Sequence, residues 1–235
     1  MKTAVVTGGA AGIGKALVLR LLEHDYNVVC GDIQPITGIP TSLQSRLQYV
    51  HCNVVTSDLP SLFAFAVRTF GRIDVVVNNA GIAEPGAFLS DTINMNAIKR
   101  VVDINLTAVV EGTRLAIRQF QHQQSPGVVV NVSSMSALHP LSVAPVYTAT
   151  KTGVLAFTRS LKYLRKRHIR VTAVCPFFVD TNLLQTSKQG HDPVFTALLD
   201  QVPRVTVTQV VDTIMQLIQG ETTEMELTVA PESKL

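Results

Sequence analysis

At 235 residues, with 46% hydrophobic and only 16% charged residues, the chain is long enough for one well-packed α/β domain, and it suits a sheet buried on both faces better than a solvated one. A net charge of +3 and an isoelectric point near 8.8 fall far short of the concentrated basic surface that nucleic-acid binding needs. No apolar run approaches the roughly 20 residues that cross a bilayer. The first residues, MKTAVVTGG, form no signal-type leader, and Cys30, Cys52 and Cys175 stand too far apart for a metal or redox motif, so the expectation is a soluble cytoplasmic chain with buried free thiols, no metal and no membrane contact.

Thr3 to Thr7 reads as a short buried strand. Gly8, Gly9, Ala10, Ala11, Gly12, Ile13 and Gly14 follow at once, and Lys15 to His24 then sets Ala16, Leu17, Leu19, Leu21 and Leu22 in a helical pattern. Strand, glycine-rich turn and helix in succession make a phosphate-binding context, because N–H groups at a helix start attract a pyrophosphate and glycines let it come close. A merely tight strand-to-helix turn is the alternative. The second strand, Asn27 to Gly31, ends in Asp32, whose carboxylate is placed to accept hydrogen bonds from an adenosine ribose and to repel a 2′-phosphate. That predicts NAD over NADP, a preference that Lys15, on the first turn of the helix, weakens a little.

Gln34 to Thr41, with Pro35, Gly38 and Pro40, reads as a loop. A third strand is expected over Gln48 to Cys52, a helix from the N-cap Ser57 to Phe70 with Gly71 as its stop, and a fourth strand over Ile73 to Val77. Asn78, Asn79, Ala80 and Gly81 come next; two amides and a glycine after a strand suit hydrogen bonding of backbone and cofactor, or an Asx-type turn alone. A helical pattern runs from Ile98 to His122, and Asn105 sits awkwardly inside it. Val128 to Val132 is the fifth strand and leads to Ser133 and Ser134. A helix opens near Tyr147, the sixth strand covers Arg170 to Cys175, and a helix over Thr208 to Gln219 precedes a last strand over Met225 to Val229.

Apolar strands alternating with helices predict an α/β fold: a single doubly wound Rossmann-type domain over 1–235, its central parallel sheet of about seven strands flanked by helices on both faces. Pro176 to Leu199, carrying Phe177, Phe178, Leu183, Leu184, Val194 and Phe195 among turn residues, breaks the alternation. It reads as an insertion over about 177–205 that covers a site. The basic cluster of Lys162, Arg165, Lys166, Arg167, His168 and Arg170 lies at an expected helix end, where cations complement the macrodipole.

The chemistry concentrates in Ser133 to Lys151, SSMSALHPLSVAPVYTATK. Tyr147 and Lys151, four residues apart, share one helix face. A phenol titrates near 10, and a neighbouring ammonium favours the phenolate, so the pair is a proton-transfer device. Ser134, at a strand end, can bring its hydroxyl to the same volume and orient a carbonyl or alcohol oxygen; Ser133 is the less favoured neighbour. Met135, Leu138 and Val143 opposite the apolar cover point to a hydrophobic substrate.

Taken together, TGGAAGIG (Thr7 to Gly14), NNAG (Asn78 to Gly81), Asn105 in VDINLT, VNVSS (Val130 to Ser134) and YTATK (Tyr147 to Lys151) resemble the classical short-chain dehydrogenases/reductases over essentially the whole chain. Within them, INLTAVVEGTRLAI, PVYTATKTGVLAFTRSL and CPFFVDTNLL are most similar to NAD-dependent 15-hydroxyprostaglandin dehydrogenase-like enzymes. The resemblance implies a Tyr147 general acid/base, a Lys151 that lowers its pKa and binds the nicotinamide ribose, a Ser134 that holds the substrate oxygen, and an Asn105 that anchors a relay water. It implies cofactor contacts from Gly8, Gly12, Ile13, Gly14, Asp32, Asn53, Asn79, Ala80, Gly81, Tyr147, Lys151, Pro176, Val179 and Thr181. It further implies interconversion of a hydrophobic secondary alcohol and its ketone in a homodimer or homotetramer; the alternatives are a catalytically impaired NAD(H)-binding module and an NADP-dependent carbonyl reductase. Three departures stand out: Phe177 where the family has glycine, Asn53 where it has aspartate, and a C-terminal MELTV without the usual glycines.

Overall fold

Seven apolar segments lie side by side in the computed structural model, which describes residues 1–91, 93–181, 183, 197, 201–220 and 224–231. They are β1 (Thr3–Thr7), β2 (Asn27–Asp32), β3 (Leu47–His51), β4 (Val75–Asn78), β5 (Gly127–Val132), β6 (Ile169–Pro176) and β7 (Glu226–Val229). All pairings are parallel, in the order β3-β2-β1-β4-β5-β6-β7. Among the described residues the helices between them are α1 (Gly12–Glu23), α2 (Asp58–Phe70), α3 (Met95–Val102), α4 (Ala108–His122), α5 (Pro145–Ser160) and α6 (Val207–Gln219).

Successive strand residues point to opposite faces, and here both faces are covered, so the strands must be apolar throughout. Val6, Val28, Val77 and Val130 pack with Leu17, Leu21, Val210 and Ile214 of α1 and α6. Their neighbours Val5, Val29, Val76 and Val129 pack with Leu59, Leu62, Ala116 and Phe120 of α2 and α4. The chain runs from β1 outward to β2 and β3, then returns to the other side of β1 at β4. Reversal at that point opens a crevice beyond the carboxyl ends of β1 and β4, where such sheets bind ligands.

Element boundaries differ from the sequence-based expectation in informative ways. Between β2 and β3 only a 3₁₀ turn, Thr41–Arg46, interrupts the loop. Gly71 ends α2 in the left-handed conformation, but Ser57 makes no side-chain cap. The helix expected as one piece from Ile98 begins earlier, at Met95, and is split by a π turn over Asp103–Thr107 that contains Asn105. α5 opens at Pro145 rather than Tyr147; proline suits this position because its missing N–H is one a helix start leaves unused. Of the basic cluster, Arg165, Lys166 and Arg167 lie in the last turn of a 3₁₀ helix, Lys162–Arg167, and Arg170, on β6, donates to the carbonyls of Leu217 and Ile218 in the last turn of α6. Most of the expected cover over 177–205 lies outside the described residues. Its two ends meet in a parallel bridge between Val179 and Val205.

All three cysteines are buried and unbridged. Burial pushes the Cys30 and Cys52 thiols up to about 12 and Cys175 to about 11. Among the described residues no cluster of metal-binding side chains occurs, and no helix is long and apolar enough to cross a membrane.

One buried polar network ties sheet to helices. The Asn78 amide donates to Asn131 Oδ1 at 2.8 Å and to Thr113 Oγ1 at 3.1 Å, Thr113 donates to Asn131 Oδ1 at 3.2 Å, and Asn131 donates to Thr158 Oγ1 at 3.0 Å. It joins β4 and β5 to α4 and to α5, the helix that carries Tyr147 and Lys151. A satisfied network of this kind fixes one arrangement where apolar contacts alone tolerate several. Gly112 makes room for it: a Cβ there would lie 2.3 Å from Asn78 Oδ1. Replacing a helical glycine by alanine ordinarily gains about 0.5–1 kcal/mol, whereas overpacking costs about 1–3 kcal/mol. Gly112→Ala should therefore destabilise by about 1–2 kcal/mol in urea unfolding, and a stabilised variant would show that the network yields.

Candidate active site

The glycine turn and the end of β4 meet in close contact. Gly8 has φ +64°, and a Cβ on it would lie 2.8 Å from Ala80 Cα; one on Gly14 would lie 2.0 Å from the Gly8 carbonyl oxygen. Asn79 closes the junction, its amide donating to the carbonyls of Thr7 and Gly8, while the N–H groups of Asn79 and Ala80 donate to Thr7 Oγ1. α1 starts behind this turn with Ala11 as N-cap, no side-chain cap and no acidic residue in its first turn. Its N–H groups and dipole therefore face the crevice without an acidic competitor, and Ile13 on the same turn is half-buried. A glycine cradle with an open helix start fits the pyrophosphate of a dinucleotide.

Asp32 ends β2, accepting from Ala10 N–H at 2.9 Å and from Gln34 N–H at 2.9 Å. It holds the turn and still has acceptor capacity for ribose hydroxyls. Asn53 follows β3; its side-chain oxygen accepts from Val55 N–H at 3.3 Å, and its own N–H donates to Asp58 Oδ2 at 2.9 Å. The Asp58 carboxyl is held below its ordinary range, mainly by that bond. The sequence reading missed Asp58, which has the ordinary signature of an acid in a first helical turn.

Beyond the carboxyl end of β4, Gly81 lies beside two other expected residues: a Cβ on it would stand 3.4 Å from Asn105 Oδ1 and 3.6 Å from Lys151 Nζ. Asn105 is fully buried in the π turn. Its side chain pairs with one peptide unit twice, accepting from Ile82 N–H and donating to Ile82 O, both at 2.9 Å.

Ser133 and Ser134 part company at the end of β5. Ser133 is buried and donates to the Lys151 carbonyl at 2.8 Å. Ser134 accepts from Ser136 N–H at 3.1 Å, and its hydroxyl lies near enough to the Tyr147 phenol to favour the phenolate. Lys151 is buried, its ammonium donating to the Val132 carbonyl at 2.8 Å and lying 5.7 Å from the centroid of the Tyr147 ring. Met135 and Leu138 pack on Leu155, Ala173 and Cys175.

The expected depression of the Tyr147 phenol by Lys151 is not what the protein's own groups produce. Burial pushes the phenol above its ordinary value, and the Ser134 hydroxyl only partly opposes it. Burial also lowers Lys151, to about 8. Loss of water dominates both shifts, each towards the uncharged form.

Pro176 ends β6, and Phe177 continues its pairing, N–H to the Val229 carbonyl at 2.8 Å. Phe177 takes no left-handed backbone; its ring packs on the core and edge-on against Phe178, with centroids 5.2 Å apart. Val179 is buried in the Val205 bridge, and Thr181 reaches the glycine turn, 3.3 Å from where a Gly12 Cβ would stand.

A family model described as short chain dehydrogenase matches residues 2–192. The chain belongs to the short-chain dehydrogenase family. Among curated relatives, 15-hydroxyprostaglandin dehydrogenase [NAD(+)] of Mus musculus is 34% identical over 204 residues, 81% of this chain and 72% of that protein. The 3beta-hydroxysteroid dehydrogenase 2 of Eggerthella lenta is 34% identical over 77% of this chain and 72% of its own length. A crystal structure of 3-ketoacyl-(acyl-carrier-protein) reductase from Brucella melitensis, complexed with NADH, superimposes with a TM-score of 0.83 at 25% identity, covering 97% of this chain and 96% of that one. The chain is thus an oxidoreductase of this family, whose relatives act on hydroxyl-bearing carbons.

Lys151 makes stability pH-dependent in a defined sense. Its native pKa of about 8 lies below the ordinary 10.5, so between these values the unfolded chain binds more protons and the Lys151 contribution rises with pH. The total is about 3 kcal/mol. Lys151→Met lacks this titration, so its stability relative to the wild type should narrow by about that amount from pH 8 to 10.5 in urea unfolding. A constant difference across the window would show that the ammonium is not penalised by burial.

Proposed function

We propose that this chain is an NAD-dependent oxidoreductase that interconverts a hydrophobic secondary alcohol and its ketone, with Asn105, Ser134, Tyr147 and Lys151 as its working group. The observation that carries the reading is the convergence at the end of β4, where Gly81 lies beside Asn105 and Lys151 and Lys151 lies 5.7 Å from the Tyr147 ring centroid. NAD, when bound, supplies the hydride acceptor for oxidation, and its reduced form the donor for reduction. The chain's own residues supply the proton and hold the oxygen. In reduction, neutral Tyr147 gives its proton to the carbonyl oxygen while Ser134 holds that oxygen in reach; in oxidation, the same oxygen returns the proton to the Tyr147 phenolate. Because burial holds the phenol in its neutral form, Tyr147 is the better prepared as acid, and Lys151, charged below about pH 8, stabilises the phenolate once formed.

The cofactor preference rests on Asp32 at the end of β2, bound to the glycine turn through Ala10. A carboxylate there favours a ribose with two free hydroxyls over one bearing a phosphate. The preference is consistent with the names of the curated 15-hydroxyprostaglandin dehydrogenase [NAD(+)] relatives. The relatives named for prostaglandin and steroid alcohols, with the half-buried Leu138 and Val143 downstream of Ser134, support a hydrophobic substrate. A homodimer or homotetramer and an apolar cover formed by 177–205 belong to the same proposal.

Tyr147→Phe should leave NAD affinity within a few-fold and lower turnover of a secondary-alcohol panel by at least about 10²-fold, read as NADH absorbance. Near-normal turnover would sink the mechanism. In a paired titration the wild type should bind NAD more tightly than NADP, and Asp32→Ser should narrow the gap by about tenfold or more, the loss of a repulsion worth at least about 1.4 kcal/mol. A wild type that prefers NADP refutes the role of Asp32.

A further inference from the structure

α5 carries Tyr147 and Lys151, yet its start lacks the usual local support. Its N-cap is Ala144, which has no side-chain acceptor, and Pro145 fills the first position. The N–H that a serine, threonine or aspartate cap would satisfy, two or three positions on, includes that of Tyr147 itself. Here the acceptor comes from 63 residues upstream: Glu84 Oε2 takes the Tyr147 N–H at 2.9 Å. Glu84 is 2% exposed, and such a residue is seldom buried without a purpose.

The Glu84 backbone is itself anchored on the opposite side of the site. Two residues earlier, the Ile82 peptide is gripped at both N–H and C=O by Asn105 in the π turn. Two residues later, Gly86 N–H donates to the Glu84 carbonyl at 3.0 Å. A continuous tether thus runs from Asn105 through Ile82 and Glu84 to the backbone of Tyr147. An acceptor oxygen at the positive end of α5 also suits the helix dipole.

We propose that Glu84 is a positioning residue for Tyr147, its carboxylate capping α5 from a distance and fixing the tyrosine's helix turn relative to the Asn105 turn. It touches no reacting atom; it acts through the placement of the phenol beside Ser134. This rests on the function proposed above.

The test compares Glu84→Gln, which keeps an acceptor oxygen at the same reach, with Glu84→Met, which keeps the length and removes the acceptor. Against a wild type that turns over a secondary alcohol, Glu84→Met should lower kcat by about 10- to 100-fold, the scale of a misplacement of about 1 Å, with KM and NAD affinity changed by less than about threefold. Glu84→Gln should stay within about threefold of wild-type kcat. Hydrogen exchange followed by mass spectrometry should show the 145–151 peptide exchanging faster in Glu84→Met than in Glu84→Gln. A folded Glu84→Met with wild-type kcat overturns the proposal, as does a Glu84→Gln as impaired as Glu84→Met, or NAD affinity falling in step with kcat. If Glu84→Met does not fold, Glu84→Asp, with its acceptor drawn back by one methylene, takes its place, and wild-type kcat and exchange in it overturn the proposal. A wild type without alcohol turnover would refute the proposed function instead, and the exchange comparison would still decide whether Glu84 tethers α5.

Discussion

The turn after β1 and the end of β4 approach so closely that no added carbon fits between them. A Cβ on Gly8 would fall 2.8 Å from Ala80 Cα, and Asn79 spans the same gap with two donated hydrogen bonds. That approach sets where α1 begins, and so where its open N–H groups point. It also brings Ala80 and Gly81 off β4 at a fixed angle, with Gly81 beside Asn105 and Lys151. One tight junction therefore registers the glycine turn against Asn105 and Lys151.

Inside that frame the electrostatics are governed by loss of water. Lys151 donates to the Val132 carbonyl and is pushed towards neutrality; Tyr147 is pushed the same way. A group prepared in this manner responds strongly to any charge brought close, because few water dipoles remain to screen it. Ser134 faces the phenol, and Ser133, one residue earlier, faces away to the Lys151 carbonyl. The strict alternation of a strand end decides which way each of two identical hydroxyls points.

Much of this was legible in the sequence because its causes are local. Apolar runs such as Val75 to Val77 and Val128 to Val130 are buried on both faces and read directly as strands. Tyr147 and Lys151 show their relation in a spacing of four. What stayed hidden depends on distant partners. The π turn exists where Asn105 reaches the Ile82 peptide, and only the poor fit of an asparagine in a helix hinted at it. Asn131, polar within VVVNV, was an equally quiet sign of the network to Thr158. Glu84 gave no sign at all, since its partner lies 63 residues away. The expected effect of Lys151 on the phenol missed because pair spacing carries no information about solvent.

The place of β1 in the sheet has a consequence during synthesis. This strand pairs with β2 on one side and with β4 on the other, the second partner beginning at Val75. At about 5–20 residues per second, the roughly 70 residues between them take about 4–14 s to emerge. For that interval TAVVT presents a bare row of backbone donors and acceptors, and the partner of its N-terminal amide, Asp74, has not yet been made. The most deeply buried strand of the finished protein is therefore the one that a nascent chain must keep from wrong pairings for longest.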